Sequence, residues 1–337
     1  MDKEEKPTST TKPNEPPGHD VFCTPENSDF LSKVHYKDLS ASDREIRLLK
    51  VLPTSASGFI ECELLPSVKL ADVHKQYLAL SYCAGDALTV RHYWETHTGH
   101  QDLFLWVDQI CINQANLAER SHQVGFMRAI YESANQTLIC LSVVETRGDG
   151  MRWLVELEGI LGNRLVFRDT TPTEDWPYTQ PLVSPYEFVT EIEERMHQPE
   201  FADNWIKFCE VLNSPWWGRA WVFQEFMVSS RATFLYGPHS MDYSNMLRMI
   251  SDLCLATLEI LFEPNRTPGT PVKKKLKQSR ITRAQISHSI SKVLSVFLAK
   301  KEWYENFDLK KLLVYTQNKQ LRQSSGGNDK AHHIIRE

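Results

Sequence analysis

The sequence of 337 residues lacks the short motifs by which several enzyme classes are recognised. Its seven cysteines form no C-x-x-C pair, and His92, His97 and His100 match no standard zinc-ligand spacing, so we expect no metal site. It contains neither a P-loop nor G-x-G-x-x-G, so a nucleotide would have to bind in another way. Ser81 does not stand in a G-x-S-x-G elbow, which argues against a serine hydrolase. Any catalytic role must rest on residues outside these motifs.

Long apolar runs and a strong overall charge are also missing. The net charge of -5 provides no basic field for nucleic acid, so we expect no nucleic-acid partner. The start MDKEEKPTST has no apolar core, and no apolar run approaches membrane-spanning length. We therefore expect neither a signal peptide nor a membrane span. The composition, 41% hydrophobic and 24% charged, is that of an ordinary globular protein.

The cysteines that are present indicate a reducing compartment. Several of them sit inside apolar runs, as small buried hydrophobic residues do, and we therefore expect a cytoplasmic protein. The tract VKKKLKQSR makes a nuclear location the alternative, because its lysines can form an import signal. These lysines are Lys273, Lys274, Lys275 and Lys277. The same tract is also typical of a solvated surface.

Residues 103–142 have the pattern of a strand, a helix and a second strand. The apolar run 103–107 is typical of a strand buried on both faces, and residues 137–141 predict the second strand. Between them, Asn116 predicts a helix cap, with Glu119 returning the bond in a capping box. The apolar residues of the helix recur at three-, four- and seven-residue steps: Leu117, Val124, Met127, Tyr131 and Ala134. The stretch therefore predicts a right-handed βαβ unit.

Shorter runs on either side predict further elements of the same α/β class. Strands are predicted by a hairpin pattern at 45–68, by YLALSY at 77–82, and by residues 232–236. A helical insertion is predicted at 143–213. Ser214 followed by Pro215 predicts the start of a buried helix that runs to residue 228.

The ends of the chain are expected to be less ordered. Residues 1–30 carry five prolines among charged and small polar residues, which predicts disorder. Residues 246–316 are expected to form a helical extension that includes the basic tract, with an amphipathic helix over 286–298. Residues 317–337 are polar and predict a frayed tail.

Three segments together resemble a known family. YLALSYCAGD, LWVDQICINQANLAERSHQVGFMRAIYESA and WWGRAWVFQEF are similar, in this order, to motifs of the fungal heterokaryon-incompatibility (HET) domain. The resemblance covers residues 44–245. It implies a role in fungal nonself recognition, where HET domains trigger a cell-death response. It also predicts a protein partner or self-association.

HET domains are in turn remotely similar to TIR domains. This second resemblance implies a mostly parallel, flavodoxin-like sheet flanked by helices, with YLALSY as its first strand. It also implies a counterpart of the glutamate that the NAD-cleaving TIR domains use, and the matching position is Glu225. NAD would then be a substrate, and no cofactor is expected.

The chain departs from the HET pattern in ways that bear on activity. Ala84 stands where the family usually has tryptophan, and Ser142 stands where it usually has glycine. The interval over 86–105 is shorter than in the family. A degenerate, inactive family member is therefore one alternative.

Glu225 is the candidate catalytic residue. On a helix it falls on the apolar stripe of Trp217 and Trp221, and a buried carboxylate must be paired, hydrogen-bonded or protonated. Arg219, Arg128 or Gln224 could satisfy it as a purely structural partner. In the functional alternative, Glu225 holds the ribose hydroxyls of NAD or stabilises an oxocarbenium-like transition state.

Further polar residues are expected near the carboxyl ends of the predicted strands, where open α/β sheets bind ligands. The candidates for ligand binding are Ser81, Tyr82, Asp108, Asn113 and Trp221. Asp108 and Asn113 are equally suited to capping the loop and the following helix through bonds to backbone N–H groups.

The sequence thus leaves two functions open. The first is a signalling module that acts through self-association or partner contacts. The second is an NAD glycohydrolase that uses Glu225.

Overall fold

A mixed β-sheet flanked by helices forms the centre of the protein in the computed structural model. The structure describes residues 36–52, 62–83, 87–97, 102–142, 146–162, 190, 192–219, 221, 225–262, 274, 278 and 283–305. Contacts group the chain from Ser40 onward into one compact unit. The terminal segments predicted over 1–30 and 317–337, and most of the basic tract, lie outside the described residues.

Seven of the described strands form the main sheet, in the order β3-β2-β6-β5-β7-β8-β9. Their bounds are Leu49–Val51 (β2), Cys62–Leu64 (β3), Leu78–Tyr82 (β5), Leu103–Trp106 (β6), Gln136–Cys140 (β7), Ala232–Tyr236 (β8) and His239–Asp242 (β9). Two further short strands, β1 (Glu45–Ile46) and β4 (Val68–Lys69), pair with each other.

The helices whose bounds the structure describes are Ala87–His97 (α1), Asp108–Cys111 (α2), Leu117–Gly125 (α3), Met127–Ser133 (α4), Asp149–Gly162 (α5), Pro199–Leu212 (α6), Tyr243–Phe262 (α7) and Arg283–Glu305 (α8). Short 3-10 turns occur at Leu70–Val73 and Pro215–Gly218. None of the described helices combines the length and apolar character that crossing a membrane requires.

The two faces of the sheet carry separate hydrophobic cores. Side chains alternate along a strand, so neighbouring residues of β7 point to opposite faces. Ile139 packs with α5, α6, α7 and α8, whereas Leu138 packs with α2 and α4. In β8, Phe234 belongs to the same core as Ile139, and Leu235 belongs to the same core as Leu138. This explains why 137–141 is a continuous apolar run in the sequence. The buried residues of β6, by contrast, all belong to the cluster that contains Leu138.

The α/β class is confirmed, but the sheet is mixed and not mostly parallel. Strand β5 runs parallel to β6 and β7, and β7 runs parallel to β8. The pairs β2–β3, β2–β6 and β8–β9 are antiparallel, so the described sheet has as many antiparallel as parallel pairings. The antiparallel pairings lie at the two edges of the sheet, where the hairpin predicted over 45–68 and the unpredicted strand β9 add strands.

The central strand–helix–strand unit is confirmed with two corrections. The predicted single helix is two helices, α3 and α4, because Phe126 leaves helical geometry at φ -122° and ψ 18°. Leu117 is 56% exposed and does not belong to the buried face. Asn116 does cap α3, since its Oδ1 accepts from the backbone N–H groups of Ala118 and Glu119, at 3.1 Å each.

Glu119 does not return the capping bond. Its carboxylate instead forms a bidentate ion pair with Arg47, at 2.6 and 3.0 Å, and accepts from the backbone N–H of Asn113. Both charged side chains are buried. The capping-box prediction fails because a buried arginine from a distant segment binds the carboxylate more strongly than one backbone N–H does.

The buried helix predicted over 214–228 is also wrong. The chain forms a 3-10 turn at Pro215–Gly218, and Arg219 is then extended at φ -71° and ψ 139°. Trp217 is fully buried, but Trp221, which the helical stripe placed beside it, is 46% exposed. The break at Arg219 changes the phase of the side chains, so residues four apart no longer share a face.

The predicted helical insertion and extension contribute to one core. Within the segment 143–213 the structure has the helices α5 and α6, and the described residues 190 and 192–195 are also helical. Helix α8 includes the amphipathic helix predicted over 286–298 and packs in the same cluster as α5 and α6, but Leu298 of the predicted apolar face is exposed. Helix α7 forms the start of the segment predicted as a helical extension over 246–316, and it begins three residues earlier, at Tyr243.

Candidate functional site

Glu225 is a buried carboxylate at the carboxyl edge of the parallel strands. It is only 2% exposed. The Ser81 hydroxyl donates to its Oε2 in a short hydrogen bond, and the Arg219 guanidinium lies 3.5 Å from the same oxygen. The burial predicted for Glu225 is therefore confirmed, and Arg219 is a partner that the sequence had suggested.

Ser81 is presented by strand β5 and held from two sides. It is buried in the alternation of the strand, one residue before the strand ends. The Trp216 indole N–H donates to the Ser81 Oγ at 2.7 Å, while the Ser81 hydroxyl donates to Glu225. Ser81 is thus both donor and acceptor, which leaves its hydroxyl fully oriented.

Trp216 reaches Ser81 because the 3-10 turn is fastened to the sheet. The Ser214 side chain accepts from the Trp216 backbone N–H at 3.3 Å, which caps the turn. The Ser214 hydroxyl donates to the Leu141 backbone oxygen, just beyond β7, at 2.7 Å. Sequence reasoning missed Trp216, because the helical stripe selected Trp217 and Trp221. The cap-then-proline pattern of Ser214 and Pro215 was the available signal, since it also starts short 3-10 turns.

Tyr82 and Arg219 connect Glu225 to Asp108. The Tyr82 hydroxyl donates to Asp108 Oδ1 at 2.9 Å, and the Arg219 guanidinium donates to the Tyr82 backbone oxygen in a short hydrogen bond. On the opposite side, the Tyr131 hydroxyl of α4 donates to the Leu80 backbone oxygen of β5 at 2.9 Å. We call Ser81, Tyr82, Asp108, Trp216, Arg219 and Glu225 the Glu225 cluster. Together with the Tyr131 hydrogen bond, it joins β5, the start of α2, α4 and the segment 214–229.

The candidate ligand residues divide into two groups. Ser81, Tyr82 and Asp108 are brought together with Glu225. Asn113 lies in the loop after α2, where its Oδ1 accepts from the Ala115 backbone N–H at 3.2 Å, as the capping alternative predicts. Asp108 belongs to the first group and also binds a backbone N–H group, since its Oδ1 accepts from Gln109 at 2.8 Å. The exposed Trp221 is not part of the buried cluster.

Burial dominates the electrostatics of the cluster. It raises the pKa of Glu225 to about 6, against the lowering effects of Arg219 and the Ser81 hydrogen bond. Burial, together with the neighbouring Asp108 carboxylate, also raises the pKa of the Tyr82 phenol far above its usual range. Burial and the Glu225 charge do the same to Tyr131. The phenols therefore stay neutral donors, while Glu225 can change its charge within the physiological range.

The arrangement combines a carboxylate, a hydroxyl and a guanidinium, which are groups that can bind a polyol or a cationic transition state. Its present geometry, however, turns these groups toward each other. Glu225 Oε2 already faces both Ser81 and Arg219, and the side chain is almost entirely covered. A ligand could reach the carboxylate only after a rearrangement of the segment around Arg219.

Comparisons with known proteins match a region that includes Asp108, Trp216, Arg219 and Glu225 of the cluster. The family described as heterokaryon incompatibility protein (HET) matches residues 89–225. The chain is also similar to heterokaryon incompatibility protein 6, OR allele, of Neurospora crassa, with 30% identity over 200 residues. That match covers 54% of this chain and 28% of the relative, so the chain spans well under half of its length. No solved structure matches the chain significantly. The resemblance to the HET domain is thus confirmed, and the family match ends at the candidate glutamate.

Proposed function

We propose that this protein is a signalling module of fungal nonself recognition, because residues 89–225 match the HET family. In this proposal it triggers cell death through self-association or through contact with a protein partner. The similarity to a Neurospora crassa heterokaryon incompatibility protein supports the biological setting. The covered state of Glu225 supports action through contacts.

The single observation that carries the proposal is the closed geometry around Glu225. A side chain that is 2% exposed, and that pairs with Arg219 and Ser81, stabilises the junction between β5 and the segment 214–229. A buried Ser81 hydroxyl without an acceptor at this position would be costly in the interior. This explains a buried glutamate at the strand edge without any substrate.

Expression of the protein in a fungal host tests this proposal. Wild-type protein and Glu225→Gln are expressed at equal levels, and cell death is scored by uptake of a vital dye. Glutamine keeps the size of the side chain and an acceptor for Ser81, so the scaffold survives, and we expect undiminished death with Glu225→Gln. Loss of death in a variant that remains folded and abundant would overturn the contact mechanism. Absence of death with the wild-type protein would overturn the signalling role.

The second candidate function is cleavage of NAD by a TIR-like mechanism. One specific observation favours it: the parallel strands follow the order β6-β5-β7-β8, which is the 2-1-3-4 order of flavodoxin-like sheets. Such sheets bind ligands beyond the carboxyl ends of the first and third strands, which correspond to β5 and β7. Glu225 and Ser81 lie at the end of β5. In this alternative, oligomerisation opens the cluster, and Glu225 then holds the ribose hydroxyls or stabilises the oxocarbenium-like transition state.

Release of nicotinamide from NAD separates the two candidates. Purified protein is fused to an inducible oligomerisation tag and incubated with NAD, with Glu225→Gln in parallel. The NAD-cleaving alternative requires release that depends on oligomerisation and is lost in the variant. No release, or equal release from both proteins, excludes this alternative.

A further inference from the structure

Helix α8 runs beside the segment that carries Glu225, although it lies some sixty residues or more further along the chain. Near its start, the Ser289 hydroxyl donates to Asn213 Oδ1 at 2.6 Å. In its middle, the Phe297 ring lies 5.6 Å from the Trp217 ring and 6.1 Å from the Phe226 ring, between centroids. The helix thus contacts the segment before the 3-10 turn, at the turn, and after Glu225.

Lys300, nearer the end of α8, is a buried cation that binds backbone carbonyl groups. Its ammonium donates to the Phe226 oxygen in a short hydrogen bond and to the Ser229 oxygen at 2.9 Å, and it lies 3.5 Å from the Met227 oxygen. It also lies 4.3 Å from the centroid of the Phe226 ring. An ammonium has three N–H donors, and carbonyl groups at the end of a helical turn carry partial negative charge. The site therefore suits a lysine.

The turn that Lys300 holds is the one that follows Glu225. The Ser229 hydroxyl donates to the Glu225 backbone oxygen at 2.5 Å and also contacts the Thr137 hydroxyl of β7 at 2.5 Å. Lys300 fixes the backbone oxygen of the same Ser229. A continuous series of hydrogen bonds thus leads from α8, through Ser229, to the backbone of Glu225.

We propose that Lys300 is a positioning residue of the Glu225 cluster: it holds the turn 225–229 so that the Glu225 carboxylate meets Ser81. The family match ends at Glu225, so the residue that fixes this position comes from a helix outside the matched region. The proposal concerns the geometry of the cluster and holds for either function discussed above.

The cost of burying Lys300 supports this role. Burial lowers the pKa of its amine to about 7, because the charged form loses its hydration. A methionine would fill the same space without that cost. The backbone carbonyl groups of the turn offset the cost of burial by accepting hydrogen bonds from the ammonium. In return, the ammonium fixes the positions of these carbonyl groups, which a methionine could not do.

Two variants on the same helix test the proposal. Lys300→Met keeps the length of the side chain and removes the charge and the donors. Lys292→Met makes the same chemical change at a half-buried lysine that packs beside Gly218, and it serves as the matched control. Hydrogen exchange measured by mass spectrometry reports on the local backbone in each protein.

For Lys300→Met we expect amide exchange in residues 225–229 and 78–82 to be faster by about tenfold or more, because hydrogen bonds to a charged group are lost. Exchange in β9 and α3 should not change, and Lys292→Met should behave like the wild type. Uniform acceleration over the whole sheet, or no change near 225–229, would overturn the positioning role. These measurements need neither cell death nor NAD cleavage, so their failure is distinct from a failure of the proposed function.

The titration of Glu225 gives a second readout, which a merely structural lysine would not move. Its midpoint is obtained from the pH dependence of stability in each background, with and without Glu225→Gln. We expect the midpoint to move from about 6 toward 4.5 in Lys300→Met, since the carboxyl would become hydrated. An unmoved midpoint contradicts the proposal.

If Lys300→Met does not fold, Ser229→Ala tests the same series of hydrogen bonds. It removes the hydroxyl that donates to Glu225 and keeps the carbonyl that Lys300 binds. A lowered midpoint supports the link between Lys300 and Glu225. An unchanged midpoint shows that the turn does not transmit the position of Lys300 and overturns the proposal.

Discussion

The buried carboxyl group of Glu225 should make the stability of the protein depend on pH in a defined window. Its pKa is raised to about 6, from 4.5 for the free side chain, and burial is the main cause. The folded protein therefore binds this proton more tightly than the unfolded chain does. The contribution to the free energy of unfolding is present below pH 4.5 and is lost as the pH rises through about 6. Each pH unit corresponds to about 1.4 kcal/mol, so the total loss is about 2 kcal/mol.

Glu225→Gln isolates this contribution, because glutamine resembles the protonated glutamate in shape and charge. Urea unfolding of both proteins is measured at several pH values from 4 to 8. We expect both proteins to have similar free energies of unfolding at pH 4. As the pH rises, the free energy of unfolding of the variant should exceed that of the wild type by a difference that grows to about 2 kcal/mol and levels off above pH 6. Glu200→Gln on the exposed side of α6 controls for the loss of one carboxylate from the chain.

The sign of the difference decides whether the reasoning holds. A variant that loses stability relative to the wild type as the pH rises would show that pairing with Arg219 outweighs burial. A difference that is constant from pH 4 to 8 would show that Glu225 does not titrate in this window. Either result would refute the assignment of Glu225 as a carboxyl group dominated by burial.

Three further substitutions test interactions that stabilise the fold outside the Glu225 cluster. Arg47→Met should cost about 3–5 kcal/mol, because it leaves the buried Glu119 carboxylate without its partner, and denaturant unfolding measures this loss. Asn116→Ala should cost about 1 kcal/mol through the lost cap of α3, and an undiminished stability would contradict the cap. Gly237→Ala should cost about 1–3 kcal/mol, since Gly237 has φ +57° and an added Cβ would lie 2.6 Å from the Thr146 oxygen; a thermal melt close to that of the wild type would refute this strain.

Much of the fold could be predicted because it depends on local patterns. The continuous apolar run at 137–141 reflects a strand that is covered on both faces, and this property is visible in the sequence itself. The mixed character of the sheet was not visible in the same way. It depends on which strands become edges, and β9 consists of four residues with little apolar pattern.

The candidate site was predicted in part for similar reasons. Glu225 was recognised from its apolar surroundings, and Ser81, Tyr82 and Asp108 from their places at strand ends. Trp216 was missed because the break at Arg219 shifts the side-chain phase, and no periodic pattern encodes such a break. Lys300 could not be found in this way, because its partners are carbonyl oxygens, which every residue carries. The same holds for Arg47, whose carboxylate partner lies 72 positions further on.

The separation of β7 and β8 in the sequence has a consequence for the order of folding. The two strands pair side by side, yet α5 and α6 lie between them in the chain. A contact of such high sequence separation carries a large loop-closure cost, so the pairing should form late. During synthesis β5, β6 and β7 can assemble while Glu225 is still absent, and α8 is synthesised after Glu225. The Glu225 cluster would therefore be assembled only after synthesis has passed α8, and a translation product interrupted before Glu225 would present the edge of β7 without it.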